Sequence, residues 1–335
     1  MCCTGSYRSS RPSGPLLSGE TGDHCRGVPP ILPSMTDAPF TVQDVPGKGQ
    51  GVVAMRPIAR GELILAEAPL LTQSQPHSNA TVLAALTSLS DPDQRQFFSL
   101  ANAWRGTYPP PLGIFKTNGL PCGDHDTSRG QAAGSAAIFA IGSRFNSSCQ
   151  PNVNNYWDEN RRKITFWATS DIAAGEELSI CYGDELAARE DRRRRLESAF
   201  RFVCGCVACS RDGAELKASD ERRAAVARFY DEIGACGNNP TMGVRKVKAA
   251  LRLLTEEGLL HHRGASFYYD AFQFCVSVAD IKNAKAWVKK AWEAYCVSRG
   301  PESENAVKMA AYMEDVRKHP AFDLLPRKTL AGPEA

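Results

Sequence analysis

Alternation of apolar and polar residues begins at Phe40 and predicts strands. Phe40-Thr41-Val42-Gln43-Asp44-Val45 alternates with the period of a strand, and Pro46 to Gly51 supplies a turn. Val52-Val53-Ala54-Met55 then reads as a second strand, and Leu63-Ile64-Leu65-Ala66-Glu67 as a third after another turn. A related turn-then-strand phrase recurs from Ile172 through Gly175-Glu176-Glu177 to Ile180. Between these β parts, residues 72–138 predict a helical insertion, with helices over 81–89 and 94–104 followed by a loop rich in Pro and Gly. Beyond Cys209 the apolar spacing lengthens. Val244, Val247, Leu251 and Leu254 step by three or four, as do Ile281, Ala284, Trp287, Val288, Ala291, Trp292 and Tyr295. Gly300-Pro301 breaks the chain before a further helix over 303–316.

These patterns predict an α+β chain of short antiparallel sheets, interrupted by helices and completed by an α-helical C-terminal region. Its organisation reads as an arm over residues 1–35, a β-rich domain over 36–184 and a cysteine-bearing segment over 185–212. A helical, tetratricopeptide-like region over 213–320 and a flexible tail over 321–335 follow. The arm is rich in Ser, Gly, Pro and Arg and has too few apolar side chains to offset its ordering entropy, so disorder is expected there.

Composition narrows the function. With 43% hydrophobic residues in 335, a sizeable core is available, and no apolar run reaches the ~20 residues of a membrane span. A net charge of +3 gives no electrostatic case for direct nucleic-acid binding. The twelve cysteines come without a secretory signal, which favours metal ligation or free thiols in a reducing compartment, nucleus or cytoplasm.

Cys204-Gly205-Cys206-Val207-Ala208-Cys209 packs three thiols into six residues, and a structural zinc site wants four ligands. Cys149, in the polar loop Asn146-Ser147-Ser148-Cys149-Gln150-Pro151-Asn152, is the expected fourth ligand. Cys181 sits in an apolar strand and reads as a small buried thiol. Cys122, Cys236, Cys275 and Cys296 are scattered and read as core or free thiols. The run Asp191-Arg192-Arg193-Arg194-Arg195 suits a helix between Leu186 and Leu196 with its arginines on the solvated side, and His261-His262 an exposed helix end or loop.

Four motifs in order resemble the SET-domain methyltransferases: the Gly49-Gln50-Gly51 loop, Arg144-Phe145-Asn146-Ser147-Ser148-Cys149-Gln150-Pro151-Asn152, Gly175-Glu176-Glu177-Leu178-Ser179-Ile180-Cys181-Tyr182, and the post-SET phrase Phe202-Val203-Cys204-Gly205-Cys206-Val207-Ala208-Cys209. Phe115-Lys116-Thr117-Asn118, the Trp157 strand and the helical tail resemble the SMYD-like branch, in particular fungal members without the MYND finger. The resemblance implies a pseudo-knotted SET fold and transfer of a methyl group from S-adenosylmethionine to a lysine of a histone or another protein. It implies Tyr182 as the catalytic tyrosine and zinc on Cys149, Cys204, Cys206 and Cys209. Cofactor contacts are implied at Lys48, Gly49, Gln50, Asn118, Asn146, Ser147, Phe200 and Phe202, with Tyr156, Trp157 and Phe166 as candidate channel walls. The helical C-terminal region would offer protein contacts. Ser147 departs from the family, which carries His there. That departure keeps two alternatives open, a small-molecule amine methyltransferase and a catalytically weak scaffold.

Overall fold

The computed structural model describes residues 38–123 and 133–334. The N-terminal arm therefore lies outside the described residues. Strand β1 (Phe40–Val45) and strand β2 (Gly49–Ala54) form an antiparallel hairpin in which Phe40 faces Ala54 and Val45 faces Gly49. β2 starts three residues before the expected Val52 because the ladder runs up to the turn, where Gly49 takes a φ of +73° that a side chain would strain. β3 (Leu63–Glu67) follows, with the bounds its apolar run predicts.

β4 (Leu71–Ser74) leads into the insertion. Helix α1 (Asn79–Thr87) is fixed by a reciprocal capping box between Ser78 and Thr81, and α2 (Asp91–Phe98) by the Ser90 cap. α2 ends at Phe98, with Ser99 as its C-cap, short of the expected 104. Where the sequence suggests a loop, Pro110 and Pro111 occupy the first turn of α3 (Pro110–Asn118), positions whose N–H groups need no helical partner. β5 (Leu120–Cys122) and β6 (Ser135–Ile138) close this part against β4 in the order β4-β6-β5.

The remaining strands are β7 (Asn146–Ser147), β8 (Val153–Asp158), β9 (Lys163–Ala168) and β10 (Glu177–Ile180). One sheet runs β3-β9-β8; the other runs β1-β2-β10-β7. β10 pairs antiparallel with β2 through Glu177 and Leu178, then parallel with β7 through Ser179 and Ile180. That second pairing is the exception to the expected antiparallel sheets. It lays the strand that leads to Tyr182 alongside the Asn146 loop. Val52, Phe139, Phe145, Ile164, Phe166 and Leu178 fill the core between the sheets.

Helix α4 (Arg189–Phe200) and the single turn α5 (Val207–Ser210) carry the cysteine segment. The C-terminal region contains α6 (Gly213–Gly234), α7 (Pro240–Glu256), α8 (Leu260–Ser277), α9 (Ile281–Arg299) and α10 (Glu304–Glu314), each packed on the next. α8 buries Phe267, Phe272, Cys275 and Val276 completely. α9 also rests on β8 and β9: Asn154 donates to the Ser298 carbonyl at 2.6 Å, and a Cβ on Gly300 would lie 2.2 Å from the Trp167 ring. The last residues, read as a flexible tail, are held in place. Trp287 donates to the Ala331 carbonyl at 2.9 Å, Asn283 to that of Leu330 at 2.9 Å, and Leu330 is buried. No described helix is long and apolar enough to cross a membrane.

Candidate active site

Tyr182 lies two residues beyond the end of β10 and is positioned from both crossing segments. Its backbone N–H reaches the Ser147 hydroxyl at 3.4 Å, the Ser148 N–H donates to the Ile180 carbonyl at 2.8 Å, and its own hydroxyl donates to the Phe145 carbonyl at 2.6 Å. The ring packs 4.9 Å from Phe200 and edge-on to Phe202 at 6.5 Å. Burial, and secondarily the Glu177 carboxylate, hold this phenol well above its ordinary pKa, so it stays protonated. Because the proton is committed to Phe145, the oxygen keeps its lone pairs for a ligand.

A polar cluster forms at the β2 turn. The Lys48 ammonium pairs with Glu177 at 2.5 Å. The other Glu177 oxygen accepts from Asn146 Nδ2 at 2.9 Å, and Asn146 also reaches the Gln50 carbonyl at 3.3 Å. Gly51 permits this closeness: a Cβ there would lie 2.7 Å from Asn146 Nδ2 and 2.6 Å from Val45. Lys48, Gln50 and Asn146 are thus brought together, with Gly49 in the turn that supports them. Glu177, which joins them, lies in the quoted motif but has no role predicted from the sequence.

Asn118 sits apart from this cluster. Its amide donates to the Ala101 and Ile114 carbonyls at 2.7 Å each, leaving its carbonyl oxygen as the group it could offer a ligand. With Tyr182 and Phe200 it lines a cavity of about 540 Å³, whose lining also includes Tyr156 and Trp157 of β8 and Arg299 of α9. Phe166 is not a wall residue; it is fully buried and stacks on Phe145 with centroids 4.3 Å apart. Phe202 lies outside the cavity lining, packed with Phe200 against the cysteine cluster.

The sulfurs of Cys149, Cys204, Cys206 and Cys209 all lie within 4.8 Å of one another. Cys149 is 4.0 Å from Cys204 and 3.6 Å from Cys209, against about 3.8 Å for tetrahedral zinc–thiolate bonds of ~2.3 Å. The donor set and its spacing fit zinc. So does the charge around it. Arg192 is 2% exposed, not solvated, and its guanidinium lies 3.8 Å from the Cys209 sulfur and 3.5 Å from Asp220. Arg193 donates to the Cys204 and Cys209 carbonyls at 2.9 Å each. Four thiolates on a divalent ion leave a net negative cluster, which a buried arginine offsets. His262 likewise departs from the exposed reading: it lies in the first turn of α8, 10% exposed, 3.4 Å from Glu185. Glu185 is buried, which alone would raise its pKa, yet Arg263 and His262 hold it well below the carboxylate range.

A family model described as SET domain matches residues 49–183. The histone-lysine N-methyltransferase set5 of Schizosaccharomyces pombe is 32% identical over 290 residues, spanning 86% of this chain and 87% of that protein. Shorter similarities cover about a quarter of the chain. The histone-lysine N-methyltransferase SMYD3 of Mus musculus is 37% identical over 87 residues, 25% of this chain and 20% of that protein. ATXR4 of Arabidopsis thaliana, also a histone-lysine N-methyltransferase, is 34% identical over 80 residues, 24% of each.

Proposed function

The chain belongs to the SET-domain family, and on that footing we propose that it is an S-adenosylmethionine-dependent protein-lysine methyltransferase with a structural zinc on its four clustered cysteines. The observation that carries this reading is the placement of Tyr182, fixed by both crossing segments at the edge of a cavity large enough for a lysine side chain. S-adenosylmethionine, when bound, supplies a methyl group on a sulfonium. The residues present fit it: the Lys48 ammonium, 41% exposed, suits a carboxylate, Asn146 offers an amide, and Phe200 and Phe202 offer ring faces for a purine.

The chain's own work is alignment and desolvation. Bringing the amine and the methyl donor together in line is worth up to ~7–11 kcal/mol in favourable cases. Tyr156 and Trp157 help the cavity exclude water, and removal from water favours the neutral amine over the ammonium. The Tyr182 oxygen, its proton donated to Phe145, can accept weak C–H and N–H contacts where charge shifts during transfer. No covalent enzyme intermediate is needed. A protein substrate, histone or otherwise, suits a cavity bounded jointly by β8 and α9, and the reading places the protein in nucleus or cytoplasm.

The test is transfer of labelled methyl from S-adenosylmethionine to recombinant core histones, compared with total soluble protein and a small-metabolite fraction. Label in lysines of protein supports the reading; label in metabolites alone would replace it with small-molecule amine methylation. Two variants probe the cofactor site by calorimetry. Phe202→Ala is expected to weaken S-adenosylhomocysteine by ~0.5–1.5 kcal/mol through lost ring contact. Ser147→His is expected to leave binding equal or tighter, although it removes the hydroxyl that meets the Tyr182 N–H. Unchanged affinity in Phe202→Ala would remove that residue from the site.

A further inference from the structure

Arg223 of α6 is completely buried, yet it belongs to the helical region and not to the part of the chain matched as a SET domain. Its Nη1 donates to the Cys149 carbonyl at 3.0 Å and also to the Glu185 carbonyl. Its Nε donates to Glu257 Oε2 at 2.8 Å. Glu257 is buried as well and is saturated by Ser219 at 2.7 Å, Arg211 at 2.8 Å and Arg222 at 2.7 Å. The guanidinium is therefore fixed from behind by a dense ionic cluster and aims forward at two backbone carbonyls.

Those carbonyls are not arbitrary. Cys149 closes the loop that starts at Asn146, and Glu185 lies three residues after Tyr182. At their other ends the same two segments are joined by the β7–β10 ladder and by the Ser148–Ile180 hydrogen bond. Past the ladder neither has a strand partner for its carbonyl, and a buried carbonyl without a partner is costly. Arg223 satisfies both at once. Both acceptors meet the same Nη1, whose two N–H directions are fixed in the guanidinium plane and so set the spacing of the two carbonyls, which a flexible ammonium does not. The Glu185 side chain adds a second attachment to the same region through Arg263 and His262 of α8.

We propose that Arg223 is a positioning residue for methyl transfer: anchored by Glu257, it clamps the Asn146–Cys149 loop to the Tyr182–Glu185 turn and so holds the tyrosine hydroxyl in register with the cavity. The inference rests on the methyltransferase reading. It makes the helical region part of the active site's framework, where the sequence suggested protein contacts alone. It also explains why charged groups so far apart in sequence are buried together: their combined task is to fix one backbone crossing.

The test uses the full-length, zinc-loaded protein with two variants, Arg223→Lys and Glu257→Gln. Core histones serve as methyl acceptor, and amide hydrogen exchange is read on the same samples. For Arg223→Lys the expected result is turnover lowered tenfold or more, with KM, zinc content and S-adenosylhomocysteine affinity within twofold of the parent. Exchange should speed up at least tenfold over residues 145–149 and 180–186 together, while α8 and α9 keep parental protection. Glu257→Gln keeps the fork but loosens its anchor, so the same two segments should respond to a smaller extent; if Arg223→Lys does not fold, this variant decides. Exchange that rises evenly through the helical region, or parental turnover with both segments protected, would overturn the proposal and leave an ordinary buried ion pair. If the parent itself methylates no protein, the functional reading fails separately, and the exchange pattern still decides whether Arg223 clamps the crossing.

Discussion

Replacing Tyr182 with phenylalanine is expected to lower the turnover rate about a hundredfold or more, corresponding to ~2.7 kcal/mol of transition-state stabilisation, while S-adenosylhomocysteine affinity stays within about twofold. The ring remains and still packs 4.9 Å from Phe200, so the ground-state surroundings persist. What disappears is the oxygen, with its hydrogen bond to the Phe145 carbonyl and its free lone pairs. Phe145 is fully buried, so its carbonyl loses a partner, and stability should fall by about 1–3 kcal/mol. Rates must therefore be measured well below the melting transition. In the parent, turnover should climb with pH as the target lysine, ordinarily titrating near ~10.4, becomes neutral. Tyr182 does not interrupt that climb, because burial raises its own pKa and keeps the hydroxyl protonated. The same shift has a consequence for stability. Above ~10 the unfolded chain's phenol ionises while the folded one does not, so the stabilisation present at lower pH is lost as pH rises toward the folded value. A phenylalanine variant turning over at the parental rate would show Tyr182 to be a core residue and remove the proposed mechanism.

Much of this site is written locally. Alternation over Phe40 to Val45 fixes both bounds of β1, and the apolar run at Leu63 those of β3, because each is flanked by turn residues. The cysteine spacing likewise reduces the metal question to finding one more ligand. Other features depend on partners distant in sequence. α3 hides behind prolines that sit harmlessly in its first turn, and α8 behind aromatics on several faces, since its neighbours α7 and α9 pack on both sides of it. Arg192 belongs to a run of four arginines that reads as a solvated face. It is buried because four sulfurs converge beside it, a condition set by the tertiary fold. Arg223 meets a carbonyl 74 residues away and Glu257 34 residues away, so no local pattern identifies it. Glu177 is an intermediate case: the motif contains it, but its double engagement of Lys48 and Asn146 follows from how β10 pairs with β2.

Cys149→Ala should lose most of its metal on dialysis against a mild chelator, where the parent keeps about one equivalent of zinc. Cys149 is the one thiol of the four that comes from outside the 204–209 segment, so a metal on all four would tie that segment to the Asn146 loop. Without it three ligands remain and the fourth position opens to water and competing chelators. Two further losses follow from the charges nearby. When zinc leaves, the thiolates beside buried Arg192 can take up protons, leaving Asp220 at 3.5 Å as the counter-charge that remains there, and stability should fall. The carbonyls of Cys204 and Cys209 that hold Arg193 also lose their fixed geometry, freeing the end of α4 that carries Phe200 and leads into Phe202. Zinc loss should therefore be accompanied by a lower melting temperature and weaker S-adenosylhomocysteine binding, even though Cys149 itself is not a cofactor contact. Cys181→Ala is the matched control: its thiol donates to the Gly183 carbonyl at 3.1 Å and takes no part in the cluster, so that variant should keep its zinc. Full zinc retention by Cys149→Ala with unchanged affinity, or absence of zinc from the parent, would show that these four thiols are not a metal site, and Arg192 would then rest on Asp220 for its counter-charge.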